Sequence, residues 1–150
     1  MTIPYHTTMD SSLQSWGAGT LHLDDQEFLD AFEACTLPGK LFNHADHIRL
    51  ARIYVLRLGS GAGDAAAIAI RRYADHLGAS TKYHETITRA WMILVHRAVA
   101  DQPAESFPAF AAAHPHLLDK DVLKRYYSKT LLVSDEARHS WIPPDLAPIP

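Results

Sequence analysis

The strongest constraint on the fold is one segment whose sequence marks both the start and the end of a helix. Asn43 is a favourable N-cap residue, and Asp46 follows three positions later, close to a capping-box arrangement. The helical pattern continues to Leu58, where the glycine-rich run 59–63 stops it. The segment therefore predicts a helix that begins at Asn43 and ends at Leu58.

Start and stop signals of the same kind predict further helices along the chain. The predicted spans are 24–35, 64–78 with Asp64 as N-cap, 83–100, roughly 105–113, roughly 117–127, and a short helix from Ser134. Residues 142–150 contain four prolines and cannot be helical, because proline lacks the amide donor and has a fixed φ. No stretch shows sustained apolar–polar alternation with β-branched enrichment, so a sheet is not indicated.

These spans predict an all-α fold, a single compact bundle of about five to seven helices with a Pro-rich C-terminal tail. The 150 residues are enough for one domain with a real core, and 47% apolar with 21% charged residues is ordinary globular composition. We expect residues 1–20 to form an N-terminal arm and residues 21–150 to form the helical domain.

Charge and cysteine content limit the classes of binding partner and the cellular compartments that we expect for this chain. A net charge of −3 with scattered Lys and Arg gives no field that would attract nucleic acid. Cys35 is the only cysteine, which favours a reducing compartment. Residues 1–16 lack the apolar stretch of a signal peptide, and the longest apolar runs are far short of the ~20 residues of a membrane span. We expect a cytoplasmic protein with no nucleic-acid or membrane partner, and a homo-oligomer is possible.

Ten histidines are the unusual feature of the composition, and two of them open the helix after Asn43. His44 and His47 are three residues apart and share a helix face, which extends to Ala51 and Tyr54. Such a face is typical of a polar pocket between helices. The alternative is that both histidines cap the helix or lie on the surface while its apolar residues face the core.

A second group of polar residues opens the helix predicted over 83–100. His84, Thr88 and Trp91 are spaced to share one face, with Glu85 at its edge and Lys82 just before it. The alternative for Glu85 is that it only stabilises the first turn of the helix as an acidic residue.

Both groups lie at predicted helix N-termini, where free N–H groups and the helix dipole disfavour a charged imidazolium. We therefore expect neutral histidines that can accept a proton or bind a metal. Arg49, Arg52 and Lys82 could hold a substrate carboxylate or phosphate at the same ends. Short loops make the second and fourth predicted helices parallel, so His44, His47, His84 and Glu85 should converge on one pocket.

A third group lies near the C-terminus. Tyr127 and Ser128 could reach a pocket from the end of a helix, and Arg138 could pair with Asp145 and fix the tail. A structural role is the favoured interpretation, although Tyr127 and Arg138 remain candidate substrate-binding residues.

Five sequence strings carry a resemblance to a known family. They are Phe-x-His-x-Asp-His-x-Arg-Leu-Ala (42–51), Lys-Tyr-His-Glu-Thr-Ile-Thr (82–88), Tyr-Tyr-Ser (126–128), Ala-Arg (137–138) and Pro-Asp-Leu (144–146). From about residue 25 to its end, the chain resembles a family of small, largely uncharacterised bacterial all-helical proteins. The resemblance implies a bacterial source and supports the choice of His44, His47, His84 and Glu85, but it implies no mechanism.

The leading functional hypothesis is a small-molecule enzyme of bacterial, possibly secondary, metabolism that works by acid–base chemistry without a cofactor. Elimination, isomerisation or an imine-type ring-closing condensation would suit such a site. The candidate catalytic residues are His44, His47, His84 and Glu85. The candidate residues for binding a small anionic substrate are Arg49, Tyr54, Lys82, Thr88, Trp91, Tyr127 and Arg138.

Two alternatives remain open. In the first, His44, His47 and His84 bind zinc or iron in a metal-dependent enzyme. A cation at helix N-termini would be electrostatically unfavourable, which weakens that hypothesis. In the second, the chain is a non-catalytic ligand-binding helical bundle.

Overall fold

The regular structure is helical throughout residues 18–150, the part of the chain described by this computed structural model. The α-helices are α1 (Asp25–Glu33), α2 (His44–Leu58), α3 (Ala62–His76), α4 (Glu85–Asp101), α5 (Phe107–Ala113), α6 (Lys129–Leu132) and α7 (Asp135–His139). Short 3-10 helices lie at Ala18–Thr20, Gly39–Leu41, Gly59–Gly61, Ser80–Lys82, Pro115–Leu118 and Lys120–Arg125. No strand occurs within these 133 residues (150 − 17), which confirms the predicted all-α class.

Helix α2 begins and ends where the sequence predicts. The Asn43 side chain accepts a hydrogen bond from the amide of Asp46 (3.1 Å), and the Asp46 carboxylate accepts one from the amide of Asn43 (3.0 Å). This reciprocal pair is a complete capping box. Gly59, with φ of 55°, follows Leu58 and ends the helix in a conformation that glycine adopts without strain.

Two other helices start at positions that differ from the prediction. Helix α3 begins at Ala62 rather than at Asp64, because the glycine-rich turn leads directly into it. Helix α4 begins at Glu85, since Tyr83 is extended and His84 is the N-cap residue.

The short elements also differ from the prediction in places. Helix α1 ends at Glu33, and Cys35 adopts a positive φ of 58° in the turn that follows. The helix expected over 117–127 is instead two 3-10 helices, at Pro115–Leu118 and Lys120–Arg125. Helix α6 was not predicted.

Residues 1–17 of the expected N-terminal arm lie outside the described residues, but Thr20, its last residue, packs against the domain. Thr20 is fully buried, and its hydroxyl donates a hydrogen bond of 2.6 Å to the Asp46 carboxylate at the start of α2. This end of the arm is therefore part of the packed domain.

The core centres on α2, α3 and α4, which pack against one another. Its four largest fully buried side chains come from elements around that centre: Tyr127, Phe28, Phe32 and Phe110. Helix α1, helix α5 and the C-terminal segment therefore cover the central helices on their outer sides, and one continuous core joins them.

The helical stretch His44–His76 is long and apolar enough to cross a membrane by length and composition alone. It consists of α2 and α3, which the Gly59–Gly61 turn separates and which pack against each other. Core helices of globular proteins meet the same criterion, so this observation is weak evidence for a membrane span.

Candidate functional site

A cavity of about 850 Å³ lies between α2, α3 and α4, and we refer to it as the main cavity. Its lining takes His44 and His47 from the first turn of α2, His84 from the N-cap of α4, Tyr73 from the C-terminal half of α3 and Leu77 from the C-cap of α3. The N-termini of α2 and α4 therefore meet at the end of the bundle where α3 terminates. This confirms the predicted parallel arrangement of α2 and α4.

The walls of the main cavity are apolar and its mouth is basic. The apolar side chains of the wall include Phe42, Ile48, Ile70, Ile87, Trp91 and Met92. Lys40, Lys82 and Lys120 line the same cavity and are exposed, which places them at the mouth. No Asp or Glu of the described chain lines it, so its ionisable groups are lysines, histidines and two tyrosines. Such a cavity favours an anionic ligand with an apolar body.

His47 keeps one ring nitrogen available to a ligand. Its Nδ1 lies 3.0 Å from the carbonyl oxygen of Asn43. Because a carbonyl only accepts hydrogen bonds, Nδ1 carries the proton and Nε2 keeps its lone pair. The ring, 4.1 Å from that of Phe42, is exposed to water yet closely surrounded by protein, as expected in a concave wall. Desolvation there lowers the pKa of His47, so the ring is neutral at pH 7.

His44 lies beside His47 on the cavity wall but is anchored more firmly. Its Nε2 donates to the carbonyl oxygen of Leu117 at 2.9 Å, and its ring meets that of Trp91 edge-on with centroids 4.7 Å apart. Burial lowers the pKa of His44, even though the hydrogen bond to Leu117 acts in the opposite direction. The Nδ1 atom is then the unprotonated nitrogen of this ring.

His84 lines the cavity, but both of its ring nitrogens are engaged within the protein. Nδ1 accepts a hydrogen bond from the amide of Ile87 (3.1 Å) and so caps α4, while Nε2 donates to the carbonyl of Leu132 (2.7 Å). Burial lowers the pKa of His84, which agrees with a neutral ring. A proton on Nδ1 would displace the cap, so this geometry favours a structural role.

Glu85 does not line the main cavity, and the expectation that it shares a pocket with the three histidines is therefore corrected. Its carboxylate accepts hydrogen bonds from the Tyr83 hydroxyl (2.7 Å) and from Arg89 (2.9 Å), and pairs with Arg71 (3.3 Å). Partial burial alone would raise the pKa of Glu85, but these hydrogen bonds and positive charges outweigh it and lower that pKa. The carboxylate is ionised, and its oxygens are engaged by these three partners.

Arg49 and Arg52 do not reach the cavity either, and they serve the packing of α1 on α2. Both are buried and share the Asp25 carboxylate, at 3.0 Å and 3.4 Å respectively. Arg49 also donates to the carbonyls of Thr20 and Leu23, while Arg52 donates to backbone carbonyls at residues 103–104. The expectation that these arginines hold a substrate anion is therefore corrected, because their donors are directed at protein acceptors.

Tyr54 and Tyr127, predicted to bind substrate, lie away from the cavity. The Tyr54 hydroxyl donates to Glu33 on α1 at 2.7 Å. Tyr127 is buried in the core and donates to the carbonyl of Ile142 at 2.7 Å. Each phenol therefore ties two segments of the fold together.

Arg138 is also structural, but not through the predicted pair with Asp145. It donates to the carbonyls of Thr81 and Tyr83, just before α4 (2.9 and 3.1 Å). Asp145 instead accepts hydrogen bonds from the amide and hydroxyl of Ser128 (2.8 and 2.5 Å) and so fixes the tail.

Six predicted site residues line the main cavity, and five do not. Those in the lining are His44, His47, Lys82, His84, Thr88 and Trp91. Sequence reasoning missed Lys40, Lys120 and Tyr73, which reach the cavity from separate elements. No spacing pattern links those three residues to the histidines, so a local sequence signal for them is lacking.

The alternative metal site finds no support among the described residues. Within residues 18–150, no group of three or more His, Cys, Asp and Glu side chains could hold a metal ion, so His44, His47 and His84 are not such a set. The physical reason is that Nε2 of His44 and both nitrogens of His84 bond to the protein backbone.

The lowered histidine pKa values predict that acid destabilises the fold. Since burial lowers the pKa of His44, His47 and His84 below 6.5, the unfolded chain binds more protons than the folded chain just below that pH. The free energy of unfolding should be largest above about pH 7.5 and fall as the pH drops from there to about 5.5. Urea unfolding across this range checks the slope, and a flat or rising profile on acidification would contradict it.

The site thus combines a basic mouth, apolar walls and the neutral imidazole of His47, whose Nε2 keeps its lone pair. Such a combination can bind a small anion and accept a proton from it. Comparisons with protein-family models, curated proteins and solved structures gave no significant match, so the site itself is the basis for a functional proposal.

Proposed function

We propose that this chain is a small-molecule enzyme that binds an anionic substrate in the main cavity and transfers a proton through His47. One observation carries the proposal. The cavity presents three lysines and an accepting imidazole nitrogen, while no carboxylate of the described chain lines it.

Charge and size support the binding step. Exposed Lys40, Lys82 and Lys120 attract an anion to the mouth, and no Asp or Glu in the described lining competes with it. A volume of about 850 Å³ is within the usual range of small-molecule sites. Trp91 and Phe42 offer aromatic surfaces to the apolar part of the substrate.

The state of His47 supports proton transfer. Its Nδ1–H is fixed on the Asn43 carbonyl, which directs the lone pair of Nε2 away from the helix end. A pKa lowered by burial keeps the ring neutral and able to act as a base at pH 7. Elimination, isomerisation and imine-type ring closure all need such a proton transfer.

A non-catalytic binding protein is the second candidate, and a specific observation favours it. His44 and His84 use Nε2 on backbone carbonyls, so the cavity contains fewer available proton-transfer groups than the sequence predicts. The same cavity would then serve only to bind the anion.

Binding is tested with two dyes of similar size, the anion 8-anilino-1-naphthalenesulfonate and the neutral N-phenyl-1-naphthylamine. We expect the double variant Lys40→Met/Lys82→Met to bind the anion about tenfold more weakly, a loss of about 1.4 kcal/mol in binding free energy. The neutral dye should bind with nearly unchanged affinity. Lys124→Met, which removes an exposed lysine paired with Asp121 outside the cavity, is the matched control. Equal losses for both dyes would contradict an electrostatic role for the mouth.

Proton transfer is tested by hydrogen–deuterium exchange in D2O at the carbon next to the keto group of 4-phenyl-2-oxobutanoate, followed by NMR. The parent protein should accelerate exchange, and His47→Gln should lose about 100-fold or more of that acceleration. His47→Gln should retain the fold and the affinity for the anionic dye, since the ring fills no closed core space. If the oxo acid binds and both proteins exchange at the same rate, the binding-only candidate replaces the enzyme.

A further inference from the structure

A second cavity of about 540 Å³ lies on the other side of α4 from the main cavity. Its lining includes Val55 near the end of α2, Ala62 and Gly63 at the start of α3, and Ile93 on α4. The main cavity contacts the opposite ends of α2 and α3. Along α2 and α3 the two cavities therefore lie toward opposite ends, while along α4 the second cavity extends from Glu85 to Arg97.

Met92 is the residue that the linings of the two cavities share within the described chain. Its side chain is buried, with 6% of its surface exposed. It follows Trp91, which faces the main cavity, and precedes Ile93, which faces the second cavity. Met92 thus occupies the partition between the cavities.

The polarity of the lining changes in one direction from the mouth of the main cavity to Met92. Lysines stand at the mouth of the main cavity, His47 lies on its wall, and Ile48, Ala51 and Met92 form apolar surface farther along α2 and α4. Beyond Met92 the second cavity has apolar Val55 and Ile93 in its lining, but also the charged side chains of Glu85, Arg89 and Arg97. An extended ligand with one charged end and an apolar chain that stops at Met92 matches this order.

We propose that the ligand of the main cavity is an anion with an extended hydrocarbon chain, and that Met92 sets the maximum length of that chain. This inference rests on the proposed binding of an anion in the main cavity. The charged group lies among the lysines, the chain runs past His47 and Trp91, and its end abuts the Met92 side chain. Methionine suits a limiting wall that moves a little, because it is unbranched and adapts to irregular contacts.

Displacement of the anionic naphthalenesulfonate dye by straight-chain carboxylates, from six carbons upward and below their micelle concentrations, tests the proposal. Each added methylene that finds apolar contact should raise affinity about fourfold. In the parent protein this gain should stop at the length where the chain reaches Met92. In Met92→Ala the gain should continue for about three more carbons, the number of side-chain heavy atoms that the substitution removes.

Two further variants keep the test decisive. Met92→Leu preserves the side-chain volume and should leave the length limit unchanged. Met92→Val opens less space than alanine, is more readily tolerated by the core, and should extend the limit by a smaller amount. The length profile is compared only among variants that melt cooperatively.

The two proposals fail in different ways. If carboxylates do not displace the dye at any length, the proposed binding of an anion in the main cavity fails. If they displace it but the limit is identical in the parent, Met92→Val and Met92→Ala, binding stands and the role of Met92 is overturned. If affinity does not rise with chain length in the parent protein, the hydrocarbon chain is overturned.

Discussion

Substitution of Asp25 by alanine should destabilise the protein by about 3 kcal/mol, because it removes the one carboxylate that both buried arginines share. Arg49 and Arg52 would keep their hydrogen bonds to backbone carbonyls, but both would lose the carboxylate with which they form ion pairs, and Asp46 would offer an electrostatic partner to Arg49 only. The Asp25 side chain is 36% exposed, which keeps the expected loss at the lower end for a broken buried pair. Urea unfolding at neutral pH measures the effect.

Two variants separate the charge from the helix position. Asp25→Asn keeps the shape of the side chain and should still lose most of the stability, since the charge is what balances the arginines. Asp30→Ala, on the same helix, removes an exposed carboxylate that bonds only to Gln26, and should cost within about 0.5 kcal/mol. A loss for Asp25→Ala no larger than that for Asp30→Ala would show that the arginine cluster contributes little.

Substitution of His84 by alanine should cost about 2–3 kcal/mol, because one ring supplies two structural hydrogen bonds. The amide of Ile87 would lose its cap, and the carbonyl of Leu132 would lose its donor. Urea unfolding measures the loss, and amide hydrogen exchange in the first turn of α4 should report the loss of the cap locally.

The matched variant is His84→Asn. Asparagine is a favourable N-cap residue but is too short to also reach Leu132, so it should recover about 1 kcal/mol of the loss. If His84→Ala instead retained stability while abolishing hydrogen–deuterium exchange of the oxo acid, His84 would be a catalytic residue as the sequence predicts.

The sequence predicted local features well because they depend on neighbouring residues. Asn43 and Asp46 define the start of α2 through a hydrogen-bond pair only three residues apart, and Gly59 ends the helix by its own conformational freedom. The start of α4 was placed early, at Tyr83. Histidine is not among the preferred N-cap residues, so the cap that His84 provides was not expected.

The site was predicted only in part. Helical spacing placed His44, His47, Thr88 and Trp91 on faces that meet, and short loops made α2 and α4 parallel, so these residues do line one cavity. Spacing could not determine on which side of α4 Glu85 lies, because that depends on Arg71 and Arg89.

The sequence by itself determined the all-α class, the limits of α2 and the end of the bundle where the histidines gather, since capping and helical periodicity act over a few residues. Only the tertiary structure decided which polar groups remain available. Arg49 forms an ion pair with Asp25, and His84 forms hydrogen bonds with the backbone of Ile87 and Leu132. Nε2 of His47 remains open to the cavity. Those partners lie between 3 and 48 residues away along the chain, and the distant ones are brought into hydrogen-bonding range only when the helices pack.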